Sequence, residues 1–176
     1  LNGFFILKSV LLLIALGLSV VSDLRERKIR NWVTLPAAAA GVLVNVCEHG
    51  PDGLLMALEG WLAPVLLLSV LFCINVMGAG DIKLFGAIGA IMGLPFVMYS
   101  FVFSVYAGGL VAVVILFRRK EFCTRMKYLF NYCKFALFFR GLPAYCSQGD
   151  TTAKFPFSPA IVSGTLLQLF LVLQKL

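Results

Sequence analysis

In the run "VMGAGDIKLFGAIGAIMG", residues 76–93, one aspartate and one lysine stand among apolar residues and glycines. A second aspartate, Asp23, lies in "VVSDLRERKIRN", where an apolar run gives way to charge. Carboxylates a few ångströms apart cannot both ionise easily, so a pair made of Asp23 and Asp81 would hold one proton between them. The ionised member can then act as general base on a water, while the protonated member donates to a scissile carbonyl. That is the chemistry of aspartic proteolysis. No other grouping competes with it: the single histidine, His49, lies in a different break, and no serine stands near an evident base. The five cysteines (Cys47, Cys73, Cys123, Cys133 and Cys146) form no C-x-x-C pair, so neither a metal site nor a cofactor is expected. Most of them read as small apolar packing residues.

Such a pair needs a frame, and the composition indicates which solvent surrounds it. The chain has 176 residues, of which 61% are hydrophobic and 13% charged. A soluble domain carries about 25% charged residues. With a mean hydropathy of +0.97, the excess apolar surface cannot be hidden in one core. The expected fold is all-α and polytopic, a single membrane-embedded domain over residues 1–176 with the lipid bilayer as its solvent. The net charge of +7 then reports topology, and no nucleic-acid partner is implied.

A span takes about 20 residues. Six candidates follow: 4–22, 32–46, 54–76, the Asp81 run, 94–117 and 159–173. The break after the first holds Arg25, Arg27, Lys28 and Arg30 against Asp23 and Glu26, whereas the next, "EHGPDG", holds Glu48 and Asp52 with no Lys or Arg. The stretch from Arg118 to Phe157 carries eight basic residues against Glu121 and Asp150. With six spans the basic breaks share one side, which the positive-inside rule makes the cytoplasm. Both chain ends then lie outside, and Asp23 and Asp81 both lie at cytoplasmic ends of spans. No cleavable signal is expected, because the first apolar run leads into a basic loop rather than a small-residue cleavage site. Within the long basic stretch, Lys120, Thr124, Lys127, Asn131 and Lys134 repeat at helical spacing opposite Phe122, Met126, Phe130 and Cys133. This predicts an amphipathic helix in the cytoplasmic interface; a seventh, poor span is the other reading.

Each candidate residue also has a plainer reading. Asp81 could cap the fourth helix, with Gly78 and Gly80 shaping the turn before it; in the functional reading the same two glycines shape a loop that lets substrate backbone approach. Lys83 could snorkel to headgroups, depress an aspartate's pKa or hold a substrate carboxylate. Asp23 could cap a short turn or pair with Arg27 or Lys28. Two observations favour chemistry at Asp81. The run 81–94 is about 21 Å long at the helical rise, against roughly 30 Å of hydrocarbon, so one of its ends sits at membrane depth. The pairs Gly86/Ala90 and Gly89/Gly93 also offer small faces for close helix packing.

"GAGD" resembles the motif of the GxGD intramembrane aspartyl proteases, and "GAGDIKL" resembles the type IV prepilin peptidases and their archaeal preflagellin relatives. In that family the first catalytic aspartate heads a loop ending in R-x-I-P-N or similar; here "DLRERKIRN" runs from Asp23 to Asn31, with Arg30 where proline is common. "FPFSPAIVSG", residues 155–164, is similar to the family's late P-x-G-P-x-x-x-x-G segment, with Ser158 in place of glycine. The resemblance covers most of the chain. It implies Asp23 and Asp81 as catalytic residues, with prepilins or pseudopilins as membrane-bound substrates. Their short basic leaders would be cut after a glycine at the cytoplasmic face of a bacterial or archaeal membrane. The chain lacks the C-x-x-C pairs of the bifunctional prepilin peptidases and resembles the compact, protease-only members that serve tight-adherence (Flp) pilus systems. The alternative class is a small non-enzymatic transporter or scaffold subunit that binds cations or protons at the aspartates. Transporters often carry an internal repeat, and none is visible here.

Overall fold

The computed structural model describes residues 3–26, 29–73, 77–118 and 157–175. Every element among them is an α-helix: α1 (Gly3–Glu26), α2 (Asn31–His49), α3 (Pro51–Cys73), α4 (Ala79–Met92), α5 (Leu94–Arg118) and α6 (Ser158–Lys175). The chain divides into two compact units, Leu1–Gly108 with Pro156–Leu176, and Gly109–Phe155. Of the second, the described part is the helical end of α5. The amphipathic helix expected over the basic stretch, and with it Cys123, Cys133 and Cys146, lies outside the described residues.

The first unit is arranged for an apolar solvent. On α1 the outward positions include Ile6, Leu7, Leu13, Ile14 and Leu18, while Lys8, Ser19, Ser22 and Asp23 are buried. Where the solvent is hydrocarbon, apolar side chains lose nothing by facing out, and polar ones must find partners inside. Gly3–Glu26, Pro51–Cys73 and Leu94–Val114 are long and apolar enough to cross a membrane; Ser158–Leu173 is a shorter apolar helix.

The helix at the centre is α4. Ile82 and every residue from Leu84 to Ile91 are buried, so it has no outer face over that length. A helix apolar all round is a core helix. Its small residues let neighbours approach as expected: a Cβ on Gly89 would land on the Gly60 carbonyl of α3, and one on Gly60 would land on the Gly89 carbonyl. Gly86 packs under Trp61 and Val65, and Gly41 of α2 lies against Ala90 and Ile91. From α5, the Phe101 ring meets Phe85 edge-on, centroids 5.4 Å apart. At 14 residues α4 is about 21 Å long, so its end lies among its neighbours. There Asn45 of α2, fully buried, donates from Nδ2 to the carbonyls of Ala90 (2.9 Å) and Ile91 (3.1 Å). Those carbonyls belong to the last turn, which has no helical donors of its own.

Some boundaries differ from the sequence expectation. The break "EHGPDG" shrinks to Gly50, because Glu48 and His49 finish α2 and Pro51 opens α3. Gly50 takes φ 61°, and its N–H bonds the Val46 carbonyl at 2.8 Å, closing one helix. Proline suits the first position of the next, where no N–H is required. The helix α1 extends to Glu26, past the expected end at Ser22, so Asp23 lies in its last turn rather than at the head of a loop. Near the other end of α1, Lys8 forms an ion pair with Glu48 of α2, and His49 Nε2 lies 3.6 Å from the same carboxylate.

Candidate active site

Asp81 is the third residue of α4, whose N-cap is Gly78. The capping expectation therefore changes in form: Asp81 is not the cap but reaches back to it. Its carboxylate accepts the backbone N–H of Gly78, and its own N–H donates to the Gly78 carbonyl at 3.1 Å. This is one half of a capping box, with aspartate in the position where Glu or Gln is usual; Gly78 has no side chain to supply the other half. Gly78 has φ −75°, ordinary extended backbone, so no left-handed turn is involved. What a side chain would disturb is the carboxylate, since a Cβ on Gly78 would sit 3.2 Å from Asp81 Oδ2.

Gly80 was expected in a loop and is found inside the first turn of α4. A Cβ there would lie 3.0 Å from the Cβ of Ile29 and 3.4 Å from its backbone nitrogen. The buried Ile29 belongs to the segment that follows α1. Ile29, just before α2, is thus pressed onto the start of the helix that carries Asp81. The helices α1 and α4 pack together, and the two aspartates are close enough for their charges to act on each other.

Asp23 is only 7% exposed. Ser158, fully buried as the first residue of α6, donates its hydroxyl to Asp23 Oδ2 at 2.6 Å. This corrects the expectation that no serine stands near a base. The pairing joins residues 135 apart in sequence, so no local spacing could reveal it. The available signal was the position of Ser158 in "FPFSPAIVSG". The hydroxyl is fully buried and committed to this carboxylate.

Lys83 is exposed, and its Nζ donates to Oδ1 of Asn31, the first residue of α2, at 2.9 Å. Among the described residues no ion pair joins Lys83 to either aspartate. Its place is a clasp between α4 and α2 rather than a partner for the carboxylates. Arg30 and Glu26 pair across the turn between α1 and α2, an exposed contact worth little. The Lys8–Glu48 pair lies 15 residues up α1 from Asp23, about 22 Å away by helical rise, and is no part of the site. Among the described residues no three of His, Cys, Asp and Glu converge as a metal site would require.

The arrangement is a pair of carboxylates from two packed helices, one enclosed and held by a serine, the other at a helix start and only partly buried. The sequence model of one protein family, the type IV leader peptidase family, matches residues 10–113, which include both aspartates and all of α4. No curated protein and no solved structure matches the chain significantly.

Proposed function

Because the chain belongs to the type IV leader peptidase family, and is therefore a peptidase of the membrane, we propose that it cleaves by aspartic catalysis with Asp23 and Asp81 as the pair. The observation that carries this reading is that the packed helices α1 and α4 each bring a carboxylate to the same end, near enough for one charge to act on the other. One ionised aspartate takes a proton from a water. The water oxygen adds to the scissile carbonyl carbon, and the protonated aspartate gives its proton to the carbonyl oxygen. Collapse of the resulting diol breaks the C–N bond, and the leaving amine takes up a proton.

The family's substrates are leader-bearing prepilins. We assign to this chain the removal of short basic leaders from prepilins or pseudopilins, with the cut after a glycine at the cytoplasmic face. Support comes from the position of both aspartates beside the basic segment "DLRERKIRN", which the positive-inside rule orients inward. A substrate helix can stay in the bilayer while its leader extends into water, and glycine before the cut loosens that helix locally. The chain acts as one membrane-embedded peptidase domain.

The test is co-expression with prepilins from the same genome. Asp23→Asn and Asp81→Asn should each lower processing by about a hundredfold or more, the scale of a lost general acid or base, at unchanged protein level in the membrane. Near wild-type processing by either variant overturns the pair.

A further inference from the structure

We propose that Ser158 is a positioning residue for the pair: it grips Asp23 by Oδ2 and so leaves Oδ1 to meet the water or the Asp81 carboxyl. This rests on the aspartic reading above and adds a third member to it, one that lies beyond the residues matched by the family.

Four observations converge on it. The Ser158 Oγ to Asp23 Oδ2 distance of 2.6 Å is that of a hydroxyl donating to a charged acceptor. Ser158 is 0% exposed and Asp23 7%, so bulk water does not compete for this hydrogen bond. The hydroxyl stands on the first residue of α6, where the ladder begins with Ala160 and Ile161 donating to the Phe157 carbonyl. The positive end of that helix dipole therefore faces the carboxylate. Finally, the platform is fixed. Pro159 follows Ser158, and one turn on Ser104 of α5 donates to the Ile161 carbonyl at 3.3 Å. A Cβ on Gly164 would strike Ser104, so α5 and α6 are in close contact there.

Asp23 itself sits in the last turn of α1, and its two side-chain torsions decide which carboxylate oxygen faces which neighbour. A general base must present one oxygen within hydrogen-bond reach of the attacking water. Fixing Oδ2 selects the oxygen and the rotamer together, before substrate arrives. The cost of losing this appears in the chemical step and not in substrate binding, because Ser158 is too deeply buried to touch the peptide.

The experiment measures kcat and KM in membranes containing the protein, with a fluorogenic peptide whose lysine-rich leader ends in glycine before an apolar helix. Ser158→Ala removes the hydroxyl. Ser158→Cys keeps the volume but donates only weakly, and Ser158→Thr keeps the hydroxyl. Ala and Cys should each lower kcat about ten- to hundredfold, the scale of a hydrogen bond to a charged group, with KM changed less than about twofold. Thr should recover most of the loss; where its extra methyl lowers the folded fraction, the Ala and Cys pair decides alone. A Cys variant with wild-type kcat, or a loss confined to KM or to the amount of folded protein, overturns the proposal. Asp23→Asn run alongside separates the two claims. If Asp23→Asn still cleaves, the aspartic reading falls. If it is inactive while Ala and Cys keep their kcat, only the role of Ser158 falls.

Discussion

The two ends of α4 meet the same difficulty in different ways. Both leave backbone groups without helical partners inside a packed membrane protein. At the C-terminal end every device is structural: Asn45 reaches across from α2 to two carbonyls, and Gly93 turns the chain at φ 87° with its N–H on the Gly89 carbonyl at 2.7 Å. At the N-terminal end the closing group is itself a carboxylate, Asp81, which satisfies the Gly78 N–H and is still only partly buried. One end uses a neutral amide, which bonds the Ala90 and Ile91 carbonyls and has no titratable proton. The other uses an ionisable group that keeps an acceptor for further work. The difference separates a residue that seals a helix from one that seals it and can also react.

This contrast is testable by changing each end in turn. The largest effect is expected at the reactive end. Asp81→Glu preserves charge and the ability to reach Gly78, yet an added methylene displaces the carboxyl by about an ångström. Cleavage should fall about a hundredfold with little change in thermal unfolding in detergent; if Glu works as well as Asp, the site does not depend on carboxylate geometry.

Next comes the floor of that end. Gly80→Val places a branched side chain where Ile29 packs and should lower cleavage more than tenfold by displacing the segment after Asp23, on the scale of overpacking costs of about 1–3 kcal/mol. Gly80→Ala should lose only a few-fold, since Ile29 has to yield by a few tenths of an ångström. Combining Gly80→Ala with Ile29→Gly, which removes the Cβ that the new methyl would meet, should restore much of the rate. Failure of the second change to rescue would mean that substrate, and not the chain's own Ile29, requires the glycine.

The smallest effect on activity belongs to the sealed end. Asn45→Leu should lower stability by about 1–2 kcal/mol, read as an earlier unfolding transition, with cleavage per folded molecule unchanged. A selective loss of cleavage would join the two ends into one functional unit.

The sequence showed much of this plan, for a physical reason. Charge is costly in hydrocarbon, so Asp23 and Asp81 stand out from their runs, and the small residues of α4 mark a helix packed on all sides. The long apolar helices α1, α3 and α5 were legible from length and hydropathy. What remained hidden were pairings between distant segments. Ser158 and Asn45 carry no charge, barely alter the hydropathy around them, and gain their meaning only from a partner on another helix. Lys83 was visible as an oddity, but its link to Asn31 depends on how α2 and α4 cross. The turn at Gly50 was overestimated because Glu48, His49 and Asp52 look like loop residues until their neighbours are known.

The Lys8–Glu48 pair also bears on how α1 and α2 are held to each other. Lys8 and Glu48 stand near the ends of their helices and are both largely buried, where an unpaired charge of either sign would be costly. α2 is not among the helices apolar enough to cross unaided, whereas α1 is. The pair ties the hesitant helix to the confident one. A charge on α2 is thus matched by one on α1, and neither helix presents an unpaired ion to the bundle at that end.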